Sequence, residues 1–168
     1  PSLIEKSLLI DNDIQAISST FNEAKGSMFL GRGFSYPIAL EGALKLKELS
    51  YVHAEGYPAG EMKHGPLALI EKGLPVIVIA PKDKYFEKTI SNMQEVIARG
   101  GKILFITDHK KELIDENIRF GIKVPLLDNL LSPILLTIPV QLLAYHVALL
   151  KGCDIDKPRN LAKSVTIE

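Results

Sequence analysis

A single cysteine, Cys153, excludes a disulfide within the chain. That suits a reducing compartment. Neither a histidine nor a helix start stands beside Cys153, so a nucleophilic thiol has no support. Net charge is missing too: 20 Lys and Arg balance 20 Asp and Glu. Without a basic field the composition does not recommend nucleic acid, and there is no acidic tail. Metal-ligand spacing is lacking, since His53 and His64 lie eleven residues apart with no cysteine cluster. No signal-peptide pattern is present. No unbroken apolar run is long enough to span a bilayer, because Gln141 and His146 interrupt the stretch from Pro133 to Leu150. That stretch reads as a buried helix, and the chain is expected in the cytoplasm. There is no solenoid repeat and no low-complexity tract. The chain opens on Pro1-Ser2 without a methionine, so an excised piece of a longer protein is expected.

What is present is an ordinary globular composition. The 168 residues are 46% hydrophobic and 24% charged, enough for one domain with its own core. Apolar periodicity alternates along the chain. Residues 2–11 read as a helix, and Asp13 is placed to cap a second one carrying Ile14, Ile17 and Phe21. Ser27–Leu30 reads as a strand and 36–50 as a long helix. A second strand is expected over 51–57 with a hydrogen-bonded His53–Glu55 pair, and a loop over 58–66 with at most one helical turn. The β-branched run 74–80 is a strand covered on both faces. A helix follows over 83–99, stopped by Gly100-Gly101. Then come a strand at 102–107, a short helix at 112–117, a fifth strand at 118–124, and a last helix from Ser132 to about Lys151. Pro133 is tolerated in its first turn, whereas Pro139 should kink it or be absorbed by packing. This alternation predicts a doubly wound three-layer αβα sandwich around a mainly parallel five-stranded sheet.

In such folds ligands gather at the C-terminal ends of the strands. Gly31-Arg32-Gly33 follows a strand and opens a helix, an arrangement that aims backbone N–H groups at an anion. Position 36 holds Tyr36 where a dinucleotide fingerprint needs a third glycine, so a nicotinamide cofactor is rejected. His64, on a loop beside Gly65 and Pro66, is a second candidate at that edge. A histidine there can reach a ligand or a neighbouring subunit. On the long helix, Glu41, Lys45 and Glu48 fall within about 60° of one another at 3.6 residues per turn. Ile38, Leu46 and Leu49 flank one side and Leu40 and Leu44 the other. Such a strip is either a salt-bridge ladder on a solvated face or a proton-transfer site with pKa values shifted by desolvation and charge. Near the terminus, Lys163 lies among Leu161, Ala162 and Val165. A lysine held in an apolar pocket can form a Schiff base with a ketone.

The segments ALEGALKLKELSYVHAEGYPAGEMKHGPLALI and DKPRNLAKSVTIE are similar to the second sugar-isomerase (SIS) domain of the glutamine–fructose-6-phosphate aminotransferases. The resemblance covers essentially the whole chain. It implies a flavodoxin-like SIS domain over 19–159, a helical lead-in over 1–18 and an active-site tail over 160–168. It also implies that a glutaminase domain and a first SIS domain precede this one. The implied reaction makes glucosamine 6-phosphate and glutamate from fructose 6-phosphate and glutamine, without cofactor or metal, in a homodimer. The resemblance assigns Schiff-base formation to Lys163, C1/C2 proton transfer to Glu48, and ring opening to His64 of the neighbouring subunit. It assigns substrate contact to Lys45 and Ala162, and a supporting place to Glu41. The alternatives are a non-catalytic sugar-phosphate-binding regulatory module and a plain aldose–ketose isomerase.

Overall fold

The structure is a computed structural model that describes residues 1–109, 118, 120–125, 127–128 and 130–161. Strands β1 (Gly26–Gly31), β2 (His53–Pro58), β3 (Pro75–Ile79), β4 (Lys102–Thr107) and β5 (Phe120–Lys123) form one sheet in the order β2-β1-β3-β4-β5. Every pairing is parallel. The order turns back between β1 and β3, the switch point of a flavodoxin-like doubly wound sheet.

Helices α2 (Asp11–Ser18), α3 (Ser35–Ser50), α4 (Phe86–Ile97) and α5 (Ser132–Leu150) cover the sheet, and α1 (Ser2–Leu8) packs on α5. Successive strand side chains point to opposite faces, so each buried strand feeds two cores. Phe29, Ile77, Ile79, Leu104, Ile106 and Ile122 pack with α2, α3 and α5. Met28, Leu30, Val76, Val78, Ile103 and Phe105 pack with α4 and the 3-10 segment Ala59–His64. Phe29, Leu30, Ile77 and Ile79 are fully buried, each worth about 1.5–3 kcal/mol over leaving it exposed.

Helix α5 is apolar enough to cross a membrane by length and composition, with 19 residues at a mean hydropathy of 1.8. Half of that stretch serves the core: Leu136, Val140, Leu143, Ala144 and Val147 are buried against α2 and α3, while Ile134, Leu149 and Leu150 are exposed, so the expected buried helix is buried on one face. The helix continues through the buried Pro139, so packing absorbs it. His146 is buried on the same helix, and its Nε2 meets Asp11 Oδ1 of α2 at 2.8 Å.

The elements differ from the sequence reading mainly at their ends. Asp13 does not cap α2: the helix starts at Asp11 directly after Ile10, and Asp13 sits in its first turn, where a carboxylate favours the helix dipole. Phe21 belongs to a 3-10 turn, Ser19–Phe21, rather than to α2. The second strand starts at His53, because Tyr51 ends α3 in the left-handed region (φ 59°). The expected loop over 58–66 holds the 3-10 segment Ala59–His64, and a second one, Pro66–Leu69, begins at its last residue. Asp83 lies before α4, its Oδ1 accepting the Tyr85 N–H at 2.8 Å, and the helix ends at Ile97. The helix expected over 112–117 lies outside the described residues.

Candidate active site

The outer face of α3 carries the charged strip. Lys45 Nζ donates to Glu48 Oε2 at 2.6 Å, with the two side chains 33% and 28% exposed. Glu41 Oε1 accepts a hydrogen bond from Gln141 Nε2 of α5 at 3.1 Å. The Lys45 ammonium is held above its ordinary pKa of 10.5. The hydrogen bond to Glu48 is the main cause, burial opposes it, and the charges of Glu48 and Glu41 add to it. Lys45 is therefore an ammonium at neutral pH. It can neutralise a developing oxyanion but cannot serve as a base.

The expectation of apolar shoulders on both sides holds on one side only. Ile38 and Leu46 are buried, but Leu40 and Leu44 are 43% and 42% exposed. The shift on Lys45 thus comes from its partner rather than from dehydration. Both readings of the strip meet here: the ion pair exists, and it joins the two residues that the resemblance singles out.

The strip does not lie at the C-terminal edge of the sheet. Helix α3 leaves β1 at that edge and returns to the start of β2, so its last turns stand at the N-terminal edge. Glu48 is two residues from the end of α3. The C-terminal edge gathers a different set of groups. The Arg32 guanidinium lies 5.6 Å from the centre of the Tyr85 ring. It also crowds Gly60, where an added Cβ would stand 3.1 Å from it. The turns after β1, β2 and β3 thus meet around Arg32.

His64 ends the 3-10 segment that packs through Ala59 and Met62 against the α4 face of the sheet. Lys63 fixes this segment to α4 through Glu95 at 2.9 Å. His64 itself is exposed. Gly65 follows at φ 141°, a conformation open to glycine, and it turns the chain into the next 3-10 segment. His64 and Glu48 therefore stand on opposite faces of the sheet. One chain does not bring them together.

On the edge strand β2, His53 Nε2 meets Glu55 Oε1 at 3.3 Å, the pair expected from sequence. Tyr57 Oη donates to the other oxygen of Glu55. That bond lowers the Glu55 pKa and pushes Tyr57 up to about 12.

After α5 the chain turns at Gly152 (φ 68°) and comes back to the end of α3. The Arg159 N–H donates to Tyr51 Oη at 2.7 Å, and the Arg159 guanidinium lies 4.1 Å from the Tyr51 ring centre. An open cleft of about 610 Å³ lies here, lined by Tyr51, Lys151, Cys153, Asp154, Lys157 and Arg159. Ala162 and Lys163 lie outside the described residues. Sequence reasoning missed two groups, Gln141 and the Tyr51–Arg159 pair. A lone amide in an apolar helix was a signal for the first; nothing local marked the second. Among the described residues no group of three His, Cys, Asp or Glu side chains is placed to hold a metal.

A doubly wound sheet in this order, with a charged strip on its first crossover helix, defines an α/β domain of the sugar-isomerase type. Residues 20–151 match the SIS domain family, and the chain belongs to it. Over 169 residues the chain is 56% identical to the glutamine–fructose-6-phosphate aminotransferase [isomerizing] of Bartonella henselae, covering 100% of this chain and 28% of that protein. It is 54% identical over 168 residues to the enzyme of the same name from Escherichia coli, again 100% of this chain and 28% of the relative. Among solved structures, the C-terminal domain of glucosamine-fructose-6-phosphate aminotransferase from Francisella tularensis matches with a TM-score of 0.89 and 46% identity, over 93% of this chain and 44% of that one. The chain thus spans 28% of the length of these curated relatives.

Proposed function

We propose that this chain is the isomerase-side C-terminal domain of a hexosamine-forming aminotransferase. The whole protein would act in the cytoplasm, converting fructose 6-phosphate and glutamine to glucosamine 6-phosphate and glutamate. The domain divides into a lead-in over 1–18, the SIS domain over 19–159 and a tail over 160–168 that completes the site. The glutaminase domain and a first SIS domain come from the rest of the same polypeptide, and this portion alone is inactive.

Lys163 opens the ketose and holds it as a Schiff base, its Nζ condensing with the C2 carbonyl and releasing water; ammonia from glutamine then displaces that amine and leaves an imine at C2. An iminium lowers the pKa of the neighbouring C–H more than a ketone does, so a carboxylate suffices to move the proton. Glu48, on a rigid helix, carries that proton between C1 and C2. The Lys45 ammonium balances the charge on Glu48 and faces the oxygen that gains charge during enolisation. Ala162 contacts the substrate beside Lys163. His64 comes from the partner subunit and assists ring opening.

The observation that carries this reading is the seating of Arg159 on Tyr51. Tyr51 is three residues beyond Glu48 and Lys163 is four beyond Arg159. Four residues of chain span at most about 14 Å, so the amine is within reach of the acid.

In the full-length protein, Lys163→Ala and Glu48→Gln each abolish hexosamine formation by at least about a hundredfold while glutamine hydrolysis continues. Borohydride with fructose 6-phosphate traps an adduct on Lys163 in the parent and in Glu48→Gln, but not in Lys163→Ala. Hexosamine formation at the parent rate in both variants refutes the reading.

A further inference from the structure

The end of α3 is built against its own backbone preference. Tyr51 has φ 59° and ψ 14°, the left-handed cap that helices normally give to glycine. Its N–H still closes the helix by donating to Lys47 O at 3.1 Å. A bulky aromatic residue in this conformation calls for a reason outside the helix. The side chain supplies one, through two contacts to a single residue 108 positions away. The phenol oxygen accepts the Arg159 N–H at 2.7 Å, and the ring faces the Arg159 guanidinium at 4.1 Å. Further support reaches the returning chain from within: Asp154 Oδ1 accepts the N–H groups of Asp156 and Lys157 at 3.0 and 2.9 Å, curling it toward Tyr51. Lys151 Nζ donates to Asn22 O at 3.2 Å and pins the start of the turn.

We propose that Tyr51 is a positioning residue: through Arg159 it sets the root of the C-terminal segment against the end of α3, so that Lys163 meets the sugar on the Glu48 side. This rests on the function proposed above. A hydrogen bond to the Arg159 backbone fixes position whatever the side chain at 159, and the ring then favours a cation there. The two contacts act on different atoms and separate by mutation. Tyr51→Phe removes the first, Arg159→Ala the second, and Tyr51→Gly both, while Tyr51→Gly also relieves the left-handed strain.

The test uses the full-length protein and three readouts: the rate of borohydride trapping of fructose 6-phosphate on Lys163, the steady-state constants for hexosamine formation, and amide exchange over 156–161. Tyr51→Gly is expected to slow trapping roughly ten- to a hundredfold, the range for a reacting group displaced by about an ångström. The loss falls on kcat more than on KM for the sugar, glutamine hydrolysis persists, and the melting temperature does not drop. Tyr51→Phe and Arg159→Ala lose less, and Arg159→Lys recovers most of the loss seen in Arg159→Ala. Exchange over 156–161 quickens in Tyr51→Phe and Tyr51→Gly. Parent-like trapping in Tyr51→Gly overturns the proposal, as does slower trapping with unchanged exchange. A parent protein that gives no adduct on Lys163 sinks the function proposed above instead. Exchange then decides the tether alone: faster in Tyr51→Gly supports it, and unchanged overturns it.

Discussion

At the scale of single residues, charge on this surface is governed by partners. The Lys45 pKa is raised chiefly by its hydrogen bond to Glu48, and the Glu55 pKa is lowered chiefly by the hydrogen bond from Tyr57. The second pair gives a pH prediction. The Glu55 pKa is lowered in the folded chain, so its contribution to stability is present in full above its ordinary 4.5 and is lost as pH falls through the lowered value. Tyr57 is raised, so its contribution is full below its ordinary 10.0 and is lost as pH rises through about 12. Tyr57→Phe should therefore lower the melting temperature near neutral pH and leave it unchanged in strong acid. Glu55 is 42% exposed, which limits the difference to about 2–4 °C. Thermal melts of the two proteins across the acid range check this. A gap that widens as pH falls contradicts it.

Among elements, α3 decides most, since it packs on β1, β2 and α5 and carries the charged strip. Its close approach to its neighbours depends on Gly42. A Cβ there would stand 2.6 Å from Phe29 Cε1 and 3.0 Å from Val140 Cβ. Helix propensity favours Gly42→Ala by about 1 kcal/mol, while overpacking costs about 1–3 kcal/mol. Both neighbours are buried core side chains with little room to move, so packing wins. Gly42→Ala should lower stability by up to about 2 kcal/mol, read from the denaturant midpoint. A raised midpoint would show that the helix backbone, not the α3–α5 contact, limits this part of the fold. The strip was legible in the sequence because 3.6-residue spacing puts Glu41, Lys45 and Glu48 on one side whatever the helix packs against. Which shoulder faces water was not legible: Leu40, Leu44 and Leu46 look alike until the sheet and α5 choose a side.

For the whole molecule, the placement of His64 and Glu48 on opposite faces of the sheet favours a site shared between two copies. A subunit that lacks His64 keeps Glu48, and one that lacks Glu48 keeps His64. Full-length His64→Ala and Glu48→Gln subunits, each inactive alone, should therefore regain about a quarter of the parent rate when mixed equally and reassociated. Half the random dimers are hybrids, and each hybrid holds one intact site of two. Assay of the mixture after dissociation and dilution measures this. No recovery means that both residues act within one chain.

The residues themselves determined the alternation of strands and helices, the two-faced core strands, and the polar strip on α3, since these follow from periods of 2 and 3.6 and from side-chain solvation. The two segments around Glu48 and around Lys163 also carried the resemblance to a sugar-isomerase family. Only the tertiary structure decided which sheet edge and face each candidate occupies. Strand order sends α3 back toward the start of β2, placing Glu48 away from the edge where ligands of such folds gather, and puts the 3-10 segment of His64 on the other face. The contact between Tyr51 and Arg159 was likewise invisible beforehand, because 108 residues separate them, and no local rule links a helix end to the chain that later packs on it.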